Sequence, residues 1–446
     1  MAEEEKKKVV HADPTKDFFI RMITRDITLQ DCIFDLLDNC LDGANREIKH
    51  RYEQPPEEQR YRGYLAKIVL EQNKFQISDN CGGITLSDAI DYAFHFGRRA
   101  DAPADVDHSI GLYGIGMKRA IFKIGKDITV ESSTPKDAFA MRIDVDEWAK
   151  KDDWDFELET RSKHTKHGTV ISITRLNEGI SEEFGQKVFT NNLVKGVARD
   201  YSFFLEKGFA IEVGDQKVES FRFGLRESEH FKPIKIQYQD ESGVDVEIYA
   251  GLAGSPPDDI SPDVKLDDVD YWGWFVLCND RVVIAGDKTH RTVWGDGAFP
   301  SWHPQYNGFM GILSFRHATD PSKLPWITTK RDIDQTSSLY RRAIAKMKDA
   351  TRSYLDYTNV RKEDLPKAKD LEQAAKQKPI SQLVSRSAMG LPRLTPGPRV
   401  GRVTISYQRP IEKVAKAKQV LGNISMSAKA VGEATFDYFY KNEAED

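Results

Sequence analysis

Asp35, Asp38, Asn39 and Asp42 fall at i, i+3, i+4 and i+7 in the segment TLQDCIFDLLDNCLDGANRE, so on a helix they share one side. Three carboxylates so close repel, and no basic residue stands between Arg25 and Arg46 to offset them locally. A divalent cation would: Mg2+ takes oxygen ligands, usually one or two from protein, with phosphate and water completing the shell. The Asn39 carboxamide oxygen can serve as that ligand, and Asp35, one turn earlier, can take a proton from an attacking water. The plain alternative is a solvated acidic helix face.

Two glycine-bearing loops follow. In FQISDNCGGITLSDAI a strand runs into Asp79 and a tight turn with Gly82 and Gly83 before Ile84 and a helix start. A carboxylate there accepts from an exocyclic amine, and the glycines let a planar ring approach the backbone; the same residues also make an ordinary turn. In HSIGLYGIGMKRAIFKIG, Gly111, Gly114 and Gly116 lead into a helix beginning near Met117, with Lys118 in its first turn. Exposed N–H groups and the dipole at such a start bind phosphate, and the lysine adds a point charge. The spacing fits neither the P-loop nor the Rossmann pattern, and a glycine hinge is the competing reading.

These pieces need a scaffold. Thr28 precedes the acidic helix as a cap, and Ile33, Leu36, Leu37, Cys40, Leu41 and Ala44 form its core stripe. Strand patterns around Tyr64–Ser78 and in KIGKDITVESS, AFAMRIDV and GTVISITRL alternate with helices, predicting an α+β or α/β layer domain over 26–190. A helix, further strands and a closing helix, SSLYRRAIAKMKDATRSYL, predict a second α/β domain over 191–355. Residues 1–25 read as an N-terminal arm and 356–410 as a Pro/Gly-punctuated linker, basic by +7 over 366–409. Residues 411–446 read as a short helical segment with an aromatic cluster, Phe436, Tyr438, Phe439 and Tyr440.

In this order and separation the motifs resemble the GHKL superfamily: gyrase, the heat-shock chaperone ATPase, histidine kinases, MutL and the MORC ATPases. DLLDNCLDGA is similar to the asparagine box, ISDNCGGI to the adenine-binding box, GLYGIGMK to the glycine-rich lid, nearest to the MORC form, and HGTVISI to the strand that completes the adenine site. The resemblance implies a Bergerat ATP-binding sandwich followed, more loosely, by a transducer domain of the ribosomal small-subunit protein type, in an α+β chain. It implies that Asn39 holds Mg2+, and that Asp79, with Thr169 through water and the backbone at Gly83 and Ile84, holds adenine. Gly111, Leu112, Tyr113, Gly114, Ile115, Gly116, Met117 and Lys118 would wrap the phosphates of ATP, and Lys330 in LPWITTKRDID would reach the γ-phosphate, with Arg331 as its rival. The general base, usually glutamate, is Asp35 here, one methylene shorter, so it approaches closer or acts through a second water. Cys81 stands where the adenine box normally has its first glycine.

The family further implies an ATP-dependent homodimer whose N-terminal arm crosses to the partner. With about 25 residues ahead of the asparagine box and 446 in all, the sequence is expected not to be a histidine kinase with its phospho-acceptor helix, nor a chaperone or type II topoisomerase, which need several hundred more residues. Two classes of function remain: a MORC-like or defence-type ATPase clamping DNA through 366–409, and a protein-remodelling or signalling switch docking a protein through Phe436–Tyr440. The formal charge of −5 argues against a chain that coats nucleic acid as a whole. Four cysteines without metal-ligand spacing, no membrane-length apolar run and a charged start without a signal-peptide core predict free thiols and a cytoplasmic protein, or a nuclear one in a eukaryote.

Overall fold

Thr28, in extended conformation, accepts from the Asp31 N–H at 3.1 Å and starts the helix with the acidic face. The computed structural model describes residues 14–97, 99, 109–111, 114–162, 167–257, 271–394, 403 and 405–444. In it α1 (Lys16–Arg25) precedes this helix, α2 (Leu29–Lys49). Then come β1 (Leu65–Glu71), β2 (Lys74–Asp79), the turn α3 (Leu86–Asp88), α4 (Gly116–Ile124), β3 (Gly125–Ser133) and β4 (Ala138–Asp144). After them run α5 (Val145–Lys150), β5 (Leu158–Thr160), β6 (Gly168–Leu176), α6 (Ile180–Gly185), α7 (Lys187–Asp200), α8 (Ser202–Glu206), β7 (Ala210–Val213) and β8 (Gln216–Lys217). The strands form one mixed sheet in the order β5-β4-β3-β6-β2-β1-β7-β8. Alternate residues such as Ile68, Ile77, Ile128 and Ile173 join the apolar stripe of α2 in a single core.

The second layer set contains β9 (Gly224–Glu227), β10 (Ile234–Gln239), β11 (Asp245–Leu252), β12 (Gly273–Cys278), β13 (Arg281–Asp287), β14 (Phe309–Arg316) and α9 (Ser338–Arg361). Its five-stranded sheet has the order β10-β11-β14-β12-β13. One face meets α9, where Trp274 donates to Thr351 Oγ1 at 3.1 Å and Phe309 packs on Tyr354. The other carries a smaller core that includes Leu225, Phe275, Leu277, Ile312 and Leu383.

Three boundaries differ from the sequence expectation. The first sheet does not end at 190, because β7 pairs in parallel with β1 and continues its alternation through Ile211 and Val213. The expected linker is largely folded: α10 (Leu365–Ala374) is capped by Asp364 and carries Pro366 in its first turn, where a proline removes no hydrogen bond. After it, β15 (Lys376–Pro379) pairs with β9, and Glu372 takes the Arg361 guanidinium in a buried ion pair at 2.7 Å. Residues 16–25, expected within the N-terminal arm, form α1, which docks on its own domain. There the Lys16 ammonium donates to the carbonyls of Trp148 and Lys151 at 2.8 Å, and Phe19 packs edge-on against Phe96.

The chain divides into two compact units at Thr395/Pro396. The second contains α11 (Ile411–Val420) and α12 (Ala428–Phe439), and the aromatic residues from Phe436 to Tyr440 are exposed. All four cysteines are free and buried. Among the described residues no helix is long and apolar enough to cross a membrane.

Candidate active site

Every site residue named from the sequence and described by the structure lines one cavity of about 330 Å³. Leu112 and Tyr113 lie outside the described residues. The cavity runs from the ends of β2 and β6, along α2, to the start of α4.

At one end, Asp79 closes β2, and the pairing of β6 with β2 and β3 brings Thr169 and Ser132 beside it. Asp79 Oδ1 accepts from the N–H groups of Cys81 at 2.8 Å and Thr169 at 3.3 Å, while Oδ2 meets the weak Cys40 thiol donor at 3.6 Å. Oδ2 therefore keeps capacity for a stronger donor such as an exocyclic amine. Burial pushes the Asp79 pKa up against those N–H groups. Gly83, at φ +74°, lies so close to β3 that a Cβ would stand 2.4 Å from the Ser133 carbonyl oxygen. Ser132 Oγ accepts from the Ile84 N–H at 2.7 Å and fixes this turn. Leu36, Ile77, Ile84 and Ile171 supply apolar wall for a flat ring.

Along α2 the structure corrects one expectation. The acidic face does not depend on a divalent cation for relief, because each carboxylate already has partners from distant parts of the chain. Asp35 Oδ2 accepts from Arg119 Nε at 2.6 Å; Asp38 accepts from Lys330 at 2.8 Å, Tyr201 at 2.8 Å and Arg281 at 3.3 Å. Asp42 accepts from the backbone N–H of Ile110 at 2.8 Å and Gly111 at 2.6 Å, which pins the glycine-rich chain to α2. Burial raises the pKa of Asp35 and prevails over Lys330 and Arg119. Burial acts the same way on Asp38, but there the charges of Lys330 and Arg281 overcome it and the direction is down. Asn39 stays exposed to the cavity between Asp35 and Asp42. Its carboxamide oxygen fits a Mg2+ held chiefly by phosphate and water, and the partnered carboxylates do not compete for the ion.

At the far end, α4 begins at Gly116 without a side-chain cap, leaving first-turn N–H groups available to an anion. A Cβ at Gly111 would stand 2.6 Å from Asp42 Oδ2 and one at Gly116 3.2 Å from Asp35 Cγ, so glycine at both positions lets the chain press against the acidic face. Lys118 is buried, with its ammonium on the Ala93 carbonyl at 3.0 Å, and burial lowers its pKa to about 8. A buried cation with a carbonyl for a partner keeps capacity for an anion's charge. Lys330 enters from the loop between β14 and α9 at φ +54°, a strained conformation for a non-glycine residue, held by its N–H on the Ile327 carbonyl at 2.9 Å. Its Nζ lies 4.0 Å from Asp35 Oδ1. Arg331 is engaged elsewhere, paired with Asp31 and Asp200 and set over the Phe34 ring.

Sequence reasoning passed over Arg119, Ser132 and the holding role of Asp42. The Lys118-Arg119 pair was the one local signal for the first; the others depend on strand register and on the return of the chain at Ile110. Residues 27–177 match the family described as Histidine kinase-, DNA gyrase B-, and HSP90-like ATPase. No curated protein matches the chain. The matched span contains the whole cavity apart from the Thr328–Lys330 loop. Residues 27–177 are thus a domain of the GHKL ATPase type, a family that binds and hydrolyses ATP, and a further α/β domain follows it.

Proposed function

We propose that the chain is a Mg2+-dependent ATPase that uses its nucleotide as a conformational switch between its two sheets. The observation that carries this reading is the contact of Lys330 with Asp38, 2.8 Å long and 292 residues apart in sequence, which places a cation of the second domain inside the site of the first. In this reading adenine lies against Asp79, Gly83, Ile84 and Thr169, and the phosphates meet the start of α4, Lys118 and Lys330. Bound Mg2+ supplies charge neutralisation at the phosphates, with Asn39 as its protein ligand. Arg119 holds Asp35 Oδ2, leaving Oδ1 to take a proton from water as the water oxygen bonds the γ-phosphorus and ADP leaves.

When a γ-phosphate draws Lys330 from Asp38, the loop and the second sheet move with it. ATP thereby acts by differential contact with two states rather than as a fuel for synthesis. Lys330→Met tests this: turnover falls by about a hundredfold while adenine affinity persists, a split expected of a group that acts on transition-state charge. Unchanged turnover removes the switch.

The fuller version, a MORC-like homodimer on DNA, predicts doubled mass by light scattering with a non-hydrolysable ATP analogue and salt-sensitive DNA binding. The exposed aromatic residues from Phe436 to Tyr440 favour the alternative, a protein partner at the C-terminal segment. Salt-insensitive capture of that partner, lost when Tyr438 and Phe439 become serine, distinguishes the two.

A further inference from the structure

The turn between β12 and β13 is buried, although a hairpin turn ordinarily faces water. Cys278 pairs with Arg281, so Asn279 and Asp280 are the two turn residues, and both take positive φ, +45° and +66°. A two-residue hairpin of this type asks for such angles at both positions, and asparagine and aspartate tolerate them better than other side chains. Burial adds a second demand: the polar groups of the turn need partners inside the protein.

Several of those partners belong to the ATPase domain. Asp280 takes Lys207 and Arg316, each at 2.7 Å. Arg281 donates to Asp38 on α2 at 3.3 Å and pairs with Asp200, the last residue of α7, at 3.4 Å. Asn279 Nδ2 donates to the Ser109 carbonyl at 3.1 Å, and its Oδ1 accepts from the His317 N–H at 3.0 Å. A backbone N–H only donates and a carbonyl only accepts, so these two bonds fix which way the amide faces. His317 directly follows β14, the strand that leads to the Lys330 loop.

Ser109 lines the first cavity and opens the glycine-rich stretch. The next two residues, Ile110 and Gly111, give their N–H groups to Asp42. The chain is therefore held from both polar sides, by an acceptor on α2 and by a donor from the second domain. Position 279 sets three conditions: a positive φ, a donor toward Ser109 and an acceptor toward His317. Asparagine meets all three; glycine meets only the first, and an ionised aspartate lacks the donor.

We infer that Asn279 is a positioning residue of the ATP site, through which the second domain holds the glycine-rich chain in the shape that receives phosphate. This rests on the reading above, in which ATP sets its phosphates against that chain. The second domain then acts on the nucleotide at two places: Lys330 supplies charge and Asn279 supplies order. A chain held in place before the ligand arrives loses less conformational freedom on binding, so the amide adds to phosphate affinity without touching phosphate. Affinity for adenine belongs to the Asp79 end of the cavity and is independent of it.

The test is equilibrium titration of the full chain, in the presence of Mg2+, with a non-hydrolysable ATP analogue and with adenosine, which has no phosphate. Asn279→Gly keeps the φ of the turn and removes both side-chain bonds. It should cut the ratio of ATP-analogue to adenosine affinity about tenfold, while adenosine affinity stays within about twofold of the parent's. Asn279→Asp keeps the shape and the acceptor toward His317 but sets an acceptor against the Ser109 carbonyl, and should lower the ratio likewise. Where the glycine variant does not fold, the aspartate variant decides by the same ratio. A parental ratio overturns the inference, and so does adenosine affinity that falls in step with ATP-analogue affinity, as a merely structural role would require. The parent separates this from failure of the reading above. No preference for the ATP analogue over adenosine would fault the phosphate site as a whole, whereas a preference that survives undiminished in the variants faults Asn279 alone.

Discussion

Arg119 donates its Nε–H to Asp35 Oδ2 at 2.6 Å, and both side chains are buried. The pair joins the start of α4 to the middle of α2, so the phosphate end of the site and the residue proposed as base are set by one contact. Burial raises the Asp35 pKa while Lys330 and Arg119 hold it down. Removing Arg119 must raise it further, and a base works only when deprotonated. Arg119→Ala should therefore move the acidic limb of the kcat/KM profile to higher pH and lower turnover, whereas Asp35→Ala should bind ATP and lose turnover by about a hundredfold or more. A pH profile for Arg119→Ala that overlays the parent's would refute this role.

Asp79→Asn probes the other end of the cavity. The Asn carbonyl can still accept from the Cys81 and Thr169 N–H groups, so the β2–β6 junction and the fold should survive. The side chain's second position then becomes an NH2 facing the adenine amine, donor against donor. ATP affinity should fall by about a hundredfold with little change in unfolding midpoint, measured by nucleotide titration and urea denaturation. Retained affinity would place adenine elsewhere.

How much was legible in the sequence follows from the range of each interaction. The α2 face, the Asp79 turn and the helix start after Gly116 rest on neighbours within a few residues, and their positions in the cavity follow the spacing. The cations that satisfy α2 come from Arg119, Arg281 and Lys330, which no local pattern connects to Asp35 or Asp38. The acidic face therefore read as a solvated surface or a place for a divalent cation, when the fold meets it with arginine and lysine. The stretch after Leu355 failed for a different reason. Pro366 is both a linker residue and a good first-turn helix residue, and the choice depends on Glu372 finding Arg361 and on β15 finding β9.

That difference has a consequence for truncation. A chain ending after Leu365 loses β15, the partner of β9, and deprives the Arg361 guanidinium of the Glu372 carboxylate in a buried position. Breaking a buried ion pair from one side costs about 3–5 kcal/mol. The truncated protein should unfold at markedly lower denaturant than the parent, whether or not nucleic acid is present. Truncation after Thr395, at the division between the two compact units, should leave the unfolding midpoint of the first unit in place. An unchanged midpoint after the Leu365 truncation would show that α10 and β15 contribute little to the fold.

Lys118 carries a prediction in which stability and function move in opposite directions. Its pKa is about 8 in the folded chain against 10.5 for an ordinary lysine, the shift being caused by burial. Between those values the unfolded chain holds a proton that the folded chain has released, so stability rises with pH across that window. Below pH 8 the penalty of the buried ammonium is present in full, roughly 3 kcal/mol at neutral pH. Lys118→Met removes the charge and keeps the length of the stem. It should stabilise the nucleotide-free protein near pH 7, flatten its rise in stability from pH 8 to 10 and weaken ATP binding at the same time. At pH 8–9 the parent should take up a proton on binding ATP, because the phosphates favour the charged ammonium, and the binding enthalpy should then vary with the ionisation enthalpy of the buffer. Urea unfolding and calorimetry in two buffers measure both halves. A Lys118→Met protein that is less stable than the parent, or that binds ATP with parental affinity, would show that this lysine is structural and not held in reserve for phosphate.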